Sequence, residues 1–106
     1  MKIVFAATGG NWDSKVDSRF GRAEGFVLYD EEKDELSWHS NAENKAAGHG
    51  AGVQAGQKVV SLGADVVVTG GNFGPKAAEV IQAAGIRMIP DAGEVTLKEA
   101  YTKIKK

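Results

Sequence analysis

The stretch Val66-Val67-Val68-Thr69-Gly70-Gly71-Asn72-Phe73-Gly74-Pro75-Lys76-Ala77 restricts the possible folds more than any other part of the chain. A β-branched run, a glycine-rich turn and a proline heading an alanine-rich segment predict a strand, a tight loop and a helix start. The loop thus ends on a helix N-terminus, where unpaired backbone N–H groups and the positive end of the helix dipole favour an anion. Gly70, Gly71 and Gly74 let the backbone turn sharply and approach a ligand with no Cβ in the way.

The other segments supply a sheet for this unit. Residues 2–7 form a continuous apolar run ending in Thr8-Gly9-Gly10, which fits a central strand covered on both faces. A polar loop carries Asp17-Ser18-Arg19-Phe20-Gly21-Arg22, and residues 25–30 make a second strand. An acidic turn at 30–34 leads into residues 35–40, which alternate, with Leu36 and Trp38 on one face and Glu35, Ser37 and His39 on the other; this suits an edge strand. A loop over 41–48, a helix from about Gly50 closing at Gly63, a strand over 65–69, a helix over 75–84, a short strand over 86–89 and a last helix follow. Thr96-Leu97-Lys98-Glu99 has the pattern of a capping box at the start of that last helix.

The order βββαβαβα makes strands separated by helices parallel and the hairpin strands antiparallel. The predicted fold is α/β, a five-stranded mixed sheet in order 3-2-1-4-5 with the second strand reversed and helices on both faces. The loops at 8–24, 41–52, 70–75 and 90–95 then share the edge at the C-terminal ends of the parallel strands, where open α/β sheets bind ligands.

Composition narrows the chemistry. With 106 residues and a net charge of −1, the chain is expected to be a single domain spanning 1–106, with no nucleic-acid or membrane partner. It contains no cysteine, so disulfides, a thiol nucleophile and thiolate-ligated iron–sulfur sites are excluded. The apolar run at the start is too short for a signal peptide and no stretch has membrane-spanning length, so a cytoplasmic protein is expected.

Two predicted helix N-termini, at Gly50 and Gly74, face the shared edge, and Arg19, Arg22, Lys45, His49 and Lys76 lie around them. Amide donors plus cations predict a pocket for a compact anion. Arg19 or Arg22 can instead pair with Asp17 or Glu24, and Phe20 fits a core anchor. His49 is placed to contact a ligand or supply one metal bond, whereas His39 is expected to be exposed. Trp12 either covers the pocket or packs on the sheet edge. Asn72 either donates to a ligand or simply tolerates the turn.

Asp17-Ser18-Arg19-Phe20-Gly21-Arg22-Ala23, His49-Gly50-Ala51-Gly52-Val53-Gln54-Ala55 and Thr69-Gly70-Gly71-Asn72-Phe73-Gly74-Pro75-Lys76-Ala77 resemble, in this order, three signatures of the dinitrogenase iron–molybdenum cofactor biosynthesis family. That family takes in NifX-like and NafY-like carriers, the C-terminal domain of NifB and orange-protein-like chains. The resemblance implies a ribonuclease H-like motif. It also implies non-covalent binding of an anionic metal–sulfur cluster or its precursor, molybdenum-containing and with iron or copper as further metals. The binding surface so implied comprises Arg19, Arg22, His49, Gly50, Gly70, Gly71, Asn72, Gly74 and Lys76, with His49 as the one metal contact. Cluster donor and acceptor proteins are the implied partners.

The expected function is therefore a non-enzymatic carrier or scaffold. Two other readings use the same loops: a regulatory module for phosphate, nucleotide or another oxyanion, and a metal-dependent nuclease. The nuclease needs clustered carboxylates, whereas Asp65 falls at the opening end of its strand, on the other edge, and Asp13, Asp17 and Asp91 are dispersed among loops. The edge strand leaves a monomer or a weak homodimer open.

Overall fold

The computed structural model describes residues 1–46 and 50–105. The chain runs β1 (Lys2–Ala7), β2 (Gly25–Asp30), β3 (Glu35–Ser40), α1 (Ala42–Lys45), α2 (Ala51–Ser61), β4 (Val66–Val68), α3 (Pro75–Ala83), β5 (Arg87–Ile89) and α4 (Leu97–Lys105). The sheet order is β3-β2-β1-β4-β5. β2 is antiparallel to both its neighbours, and β1, β4 and β5 are parallel. The expected topology is thus the observed one.

β1 is apolar on both faces because both faces are covered. Val4 and Ala6 enter a core with Phe20, Phe26, Val67 and Phe73 beneath α2 and α3. Ile3, Phe5 and Ala7 enter a second core with Val27 and Val68 beneath Leu97 and Ala100 of α4. Trp12 belongs to this second core, packed edge-on against Tyr29 with ring centroids 4.8 Å apart, so it covers the sheet on the α4 side. Phe20, 2 % exposed, is the core anchor expected of it.

Two details differ from expectation. Residues 42–45 form the short helix α1 within the expected loop. β4 and β5 are shorter than the runs 65–69 and 86–89, although Asp65 N–H donating to the Lys2 carbonyl and Thr69 N–H donating to the Ile89 carbonyl carry the pairing past β4 on both sides. The capping box forms as patterned, with Glu99 N–H donating to Thr96 Oγ1 and Thr96 N–H to Glu99 Oε1, each at 3.1 Å.

α4 is also fastened by charge. The Tyr101 hydroxyl donates to Glu31 Oε2, and Lys105 Nζ lies 3.1 Å from the same oxygen. The Tyr101 hydrogen bond and Lys105 hold the Glu31 carboxyl below the usual carboxylate range, and the same bond raises the Tyr101 phenol. A folded-state value below the unfolded one gives stability that is present above the unfolded pKa and lost as pH falls through the folded pKa. Glu31→Gln is therefore expected to shrink the loss of stability between pH 7 and about pH 3.5, just under the ordinary glutamate value of about 4.3. Denaturant titrations at the two pH values measure it, and an unchanged acid loss would contradict the assignment.

Candidate functional site

The loops expected at the C-terminal edge do meet there, and Asp17 is the residue that ties them. It is 4 % exposed. Its N–H donates to the Ala6 carbonyl at the end of β1 (2.7 Å), and its carbonyl accepts from Gly70 N–H (2.9 Å) and Thr69 Oγ1 (3.1 Å). Its carboxylate folds the following segment back on itself. Oδ1 accepts from Arg19 N–H (2.9 Å) and Arg19 Nε (3.4 Å), and Oδ2 accepts from Glu24 N–H (3.3 Å). The last loop joins through Gly93 N–H to the Gly70 carbonyl and Asp91 N–H to the Gly71 carbonyl.

The glycines divide into two kinds. A Cβ on Gly71 would lie 2.6 Å from the Ser18 carbonyl oxygen, and one on Gly70 would lie 3.0–3.2 Å from backbone of Gly93, Ser18 and Asp17. A Cβ on Gly21 would meet Gly52 N at 3.0 Å. These glycines let loop pack on loop. Gly74 is different: its φ is +81°, it precedes Pro75 at the head of α3, and no described residue lies within 4 Å of its Cβ position. Gly50, φ +77°, stands in the same place before α2. Among the described residues no side chain caps either helix. Because the Gly52 Cβ position is 3.7 Å from Ala77 Cβ, the two helix starts lie side by side.

The predicted binding residues fan out along this rim. Arg19 is 56 % exposed, paired with Asp17 and lying 3.9 Å through Nη2 from Glu24 Oε1; it lines a hollow of about 330 Å³ with Thr8, Lys15 and Ser18. Asn72 and Gly74 line a separate open groove of about 670 Å³ whose other walls are Phe73, Pro75, Ala78, Met88 and Pro90. The Arg22 Nη1 donates to the Lys45 carbonyl at 2.6 Å, toward α1, and Lys45 Nζ pairs with Glu24 Oε1. Lys76 is exposed on the first turn of α3 and makes no ion pair with the described residues. His49, the expected metal contact, lies outside the described residues. Phe20 and Phe73, with ring centroids 5.0 Å apart, join the first and third segments beneath the rim.

The sequence left Asn41 and Asn44 unremarked. Asn41, 2 % exposed, donates through Nδ2 to the Gly21 and Ala23 carbonyls, and Asn44 donates to the Gly21 and Ala51 carbonyls. Together they clamp the Arg19–Arg22 turn onto the start of α2. An asparagine directly after a strand is a turn signal, but burial at that position has no sequence signature.

Chemically, the described rim offers amide donors at two helix starts and the basic side chains of Arg19, Arg22, Lys45 and Lys76, partly offset by Asp17 and Glu24. Among the described residues no three His, Asp or Glu side chains gather to hold a metal ion. The arrangement suits an anion held whole through hydrogen bonds and charge. Comparison with known proteins bears on which anion. The model of the family described as dinitrogenase iron–molybdenum cofactor matches residues 1–106.

The chain belongs to this family.

The apo form of the orange protein from Desulfovibrio gigas superposes with a TM-score of 0.92 at 38 % identity, covering 98 % of this chain and 86 % of that one. A putative NifB protein from Thermotoga superposes with a TM-score of 0.81 at 30 % identity, with the same coverages of 98 % and 86 %. Comparison with curated protein sequences gives no match. Among the described residues no helix is long and apolar enough to cross a membrane.

Proposed function

We propose that this chain is a small cytoplasmic carrier that holds an anionic metal–sulfur cluster or its precursor, non-covalently, on the rim formed by residues 17–24, 50–53 and 70–77. The observation that carries the reading is the pair of glycine-headed helix starts lying side by side, with Gly74 open above α3. Amide N–H groups of these first turns, Arg19, Lys76 and the Asn72 side chain would hydrogen-bond the guest's outer atoms, and His49 would supply at most one metal contact. The groove beside Gly74 is walled by Phe73, Met88 and Pro90, an apolar surface that suits polarisable sulfide better than a strongly hydrated phosphate. Such a guest is neutralised without covalent ligation, so it can pass between a donor and an acceptor protein. Molybdenum is the metal proposed, with iron or copper beside it, in line with the family description.

An anaerobic thermal-shift comparison tests this. Tetrathiomolybdate supplied with copper or iron is expected to raise Tm by roughly 10 °C at about a hundred times its Kd. Phosphate and nucleotides at equal concentration are expected to leave it unchanged. A shift with phosphate alone would favour the oxyanion module. No shift and no charge-transfer absorbance with the thiometallate would contradict the carrier.

A further inference from the structure

β3 ends one side of the sheet. The Asn41 N–H donating to the Glu24 carbonyl fixes the phase of its ladder with β2: residues 35, 37 and 39 bond inward, and Leu36 and Trp38 direct their N–H and C=O groups outward. No hydrogen bond from the described residues reaches those groups. Between Glu35 and Ser40 the edge holds no proline or lysine and its register with β2 is unbroken by a bulge; its guards stand at the two ends, the Glu35 charge at one and Lys58 Nζ, donating to the Ser40 carbonyl, at the other. On one face Trp38 stands 42 % exposed beside half-buried Leu36.

The order of side chains along the strand selects an occupant. Two outward edges of the same strand can pair antiparallel only in registers that match outward residues with outward residues. An axis through Ser37 sets Leu36 against Trp38 of the other copy, and Glu35 against His39. Both matches occur twice, so apolar meets apolar on one face and an acid meets an imidazole on the other. An axis through Leu36 would face Trp38 with Asp34. An axis through Trp38 would face Leu36 with Ser40.

We propose that β3 is a homodimer interface, pairing antiparallel with β3 of a second copy of this chain about a two-fold axis at Ser37. The sheet then continues through both copies and no unpaired edge remains on that side. β3 is parallel to β1, so antiparallel pairing puts the two rims at opposite ends of the dimer, and each stays accessible. The proposal is independent of what the rim binds.

The chain has no cysteine, so an introduced one reports the register. At the axis the two Ser37 residues form a non-hydrogen-bonded pair with Cα atoms about 4.5 Å apart, within disulfide reach. Ser37→Cys is expected to oxidise to a covalent dimer at least ~10-fold faster than Glu35→Cys, because pairing raises the effective thiol concentration. The double variant Glu35→Cys with His39→Cys is expected to regain the fast rate. Sedimentation equilibrium of the unmodified chain should show a dimer at about 100 μM, a concentration that populates an association of micromolar Kd, and Leu36→Lys should return it to monomer. A wild-type monomer at that concentration, or Ser37→Cys linking no faster than Glu35→Cys, would overturn the proposal.

Discussion

Gly71→Ala is expected to lower Tm by roughly 10 °C or more. The added Cβ would sit 2.6 Å from the Ser18 carbonyl oxygen, a distance at which something must move. Neither side can move cheaply. Ser18 follows Asp17, whose N–H and carbonyl are bonded to Ala6, Thr69 and Gly70, and Gly71 itself accepts from Asp91. Forced overpacking of this kind costs about 2–3 kcal/mol, and each kcal/mol shifts Tm by about 4–8 °C in a domain of this size. Gly52→Ala is the contrast. Its Cβ would make an ordinary 3.7 Å contact with Ala77 Cβ, and alanine is the better helix former by about 1 kcal/mol. Its Tm should hold or rise. Thermal melts of the two variants decide the matter; equal Tm values would mean that the rim is not a stack of close-packed backbones.

On binding, Arg19→Ala and Glu24→Gln are expected to act in opposite directions. Glu24 Oε1 takes Lys45 Nζ and lies 3.9 Å from Arg19 Nη2, so an internal carboxylate already occupies two of the rim's cations. An anionic guest has to compete with it. Removing the Glu24 charge should tighten tetrathiomolybdate binding several-fold, while removing the Arg19 guanidinium should weaken it by about 10-fold, the modest sizes reflecting solvent-exposed pairs. Both effects should fade as salt is raised toward 1 M, where screening acts within about 3 Å. Anaerobic calorimetric titration with tetrathiomolybdate measures them. Tighter binding by Arg19→Ala, or weaker binding by Glu24→Gln, would mean that the rim cations do not hold the guest. The competition also offers a physical reason for reversible holding, which a carrier requires.

The sheet was legible because its signals are local and redundant. The apolar run of β1, the short alternating β3 and the glycine–proline punctuation around α3 each have one plausible reading, and connection rules then leave few orders for the strands. That several loops share one edge follows from the order alone. The arrangement within the rim was not legible, because it depends on single long-range bonds. The first signature opens on Asp17, but no local pattern says that Asp17 is buried and bonded to three segments while Asp13 is exposed. Nor does a glycine state whether its missing Cβ makes room for a ligand or for another loop: Gly70 and Gly71 do the latter, and Gly74 stays open. Likewise Arg19 and Arg22, three residues apart, point to different neighbours, Asp17 and the Lys45 carbonyl.

Anion binding at the rim is tested most directly on the backbone amides, by ¹H–¹⁵N correlation spectroscopy during anaerobic titration with a preassembled copper–tetrathiomolybdate anion. The largest shifts are expected on residues 17–24, 50–53 and 70–77, with Lys76 and Ala77 at the open start of α3 among them. Shifts centred on α4 or spread evenly over the chain would contradict it.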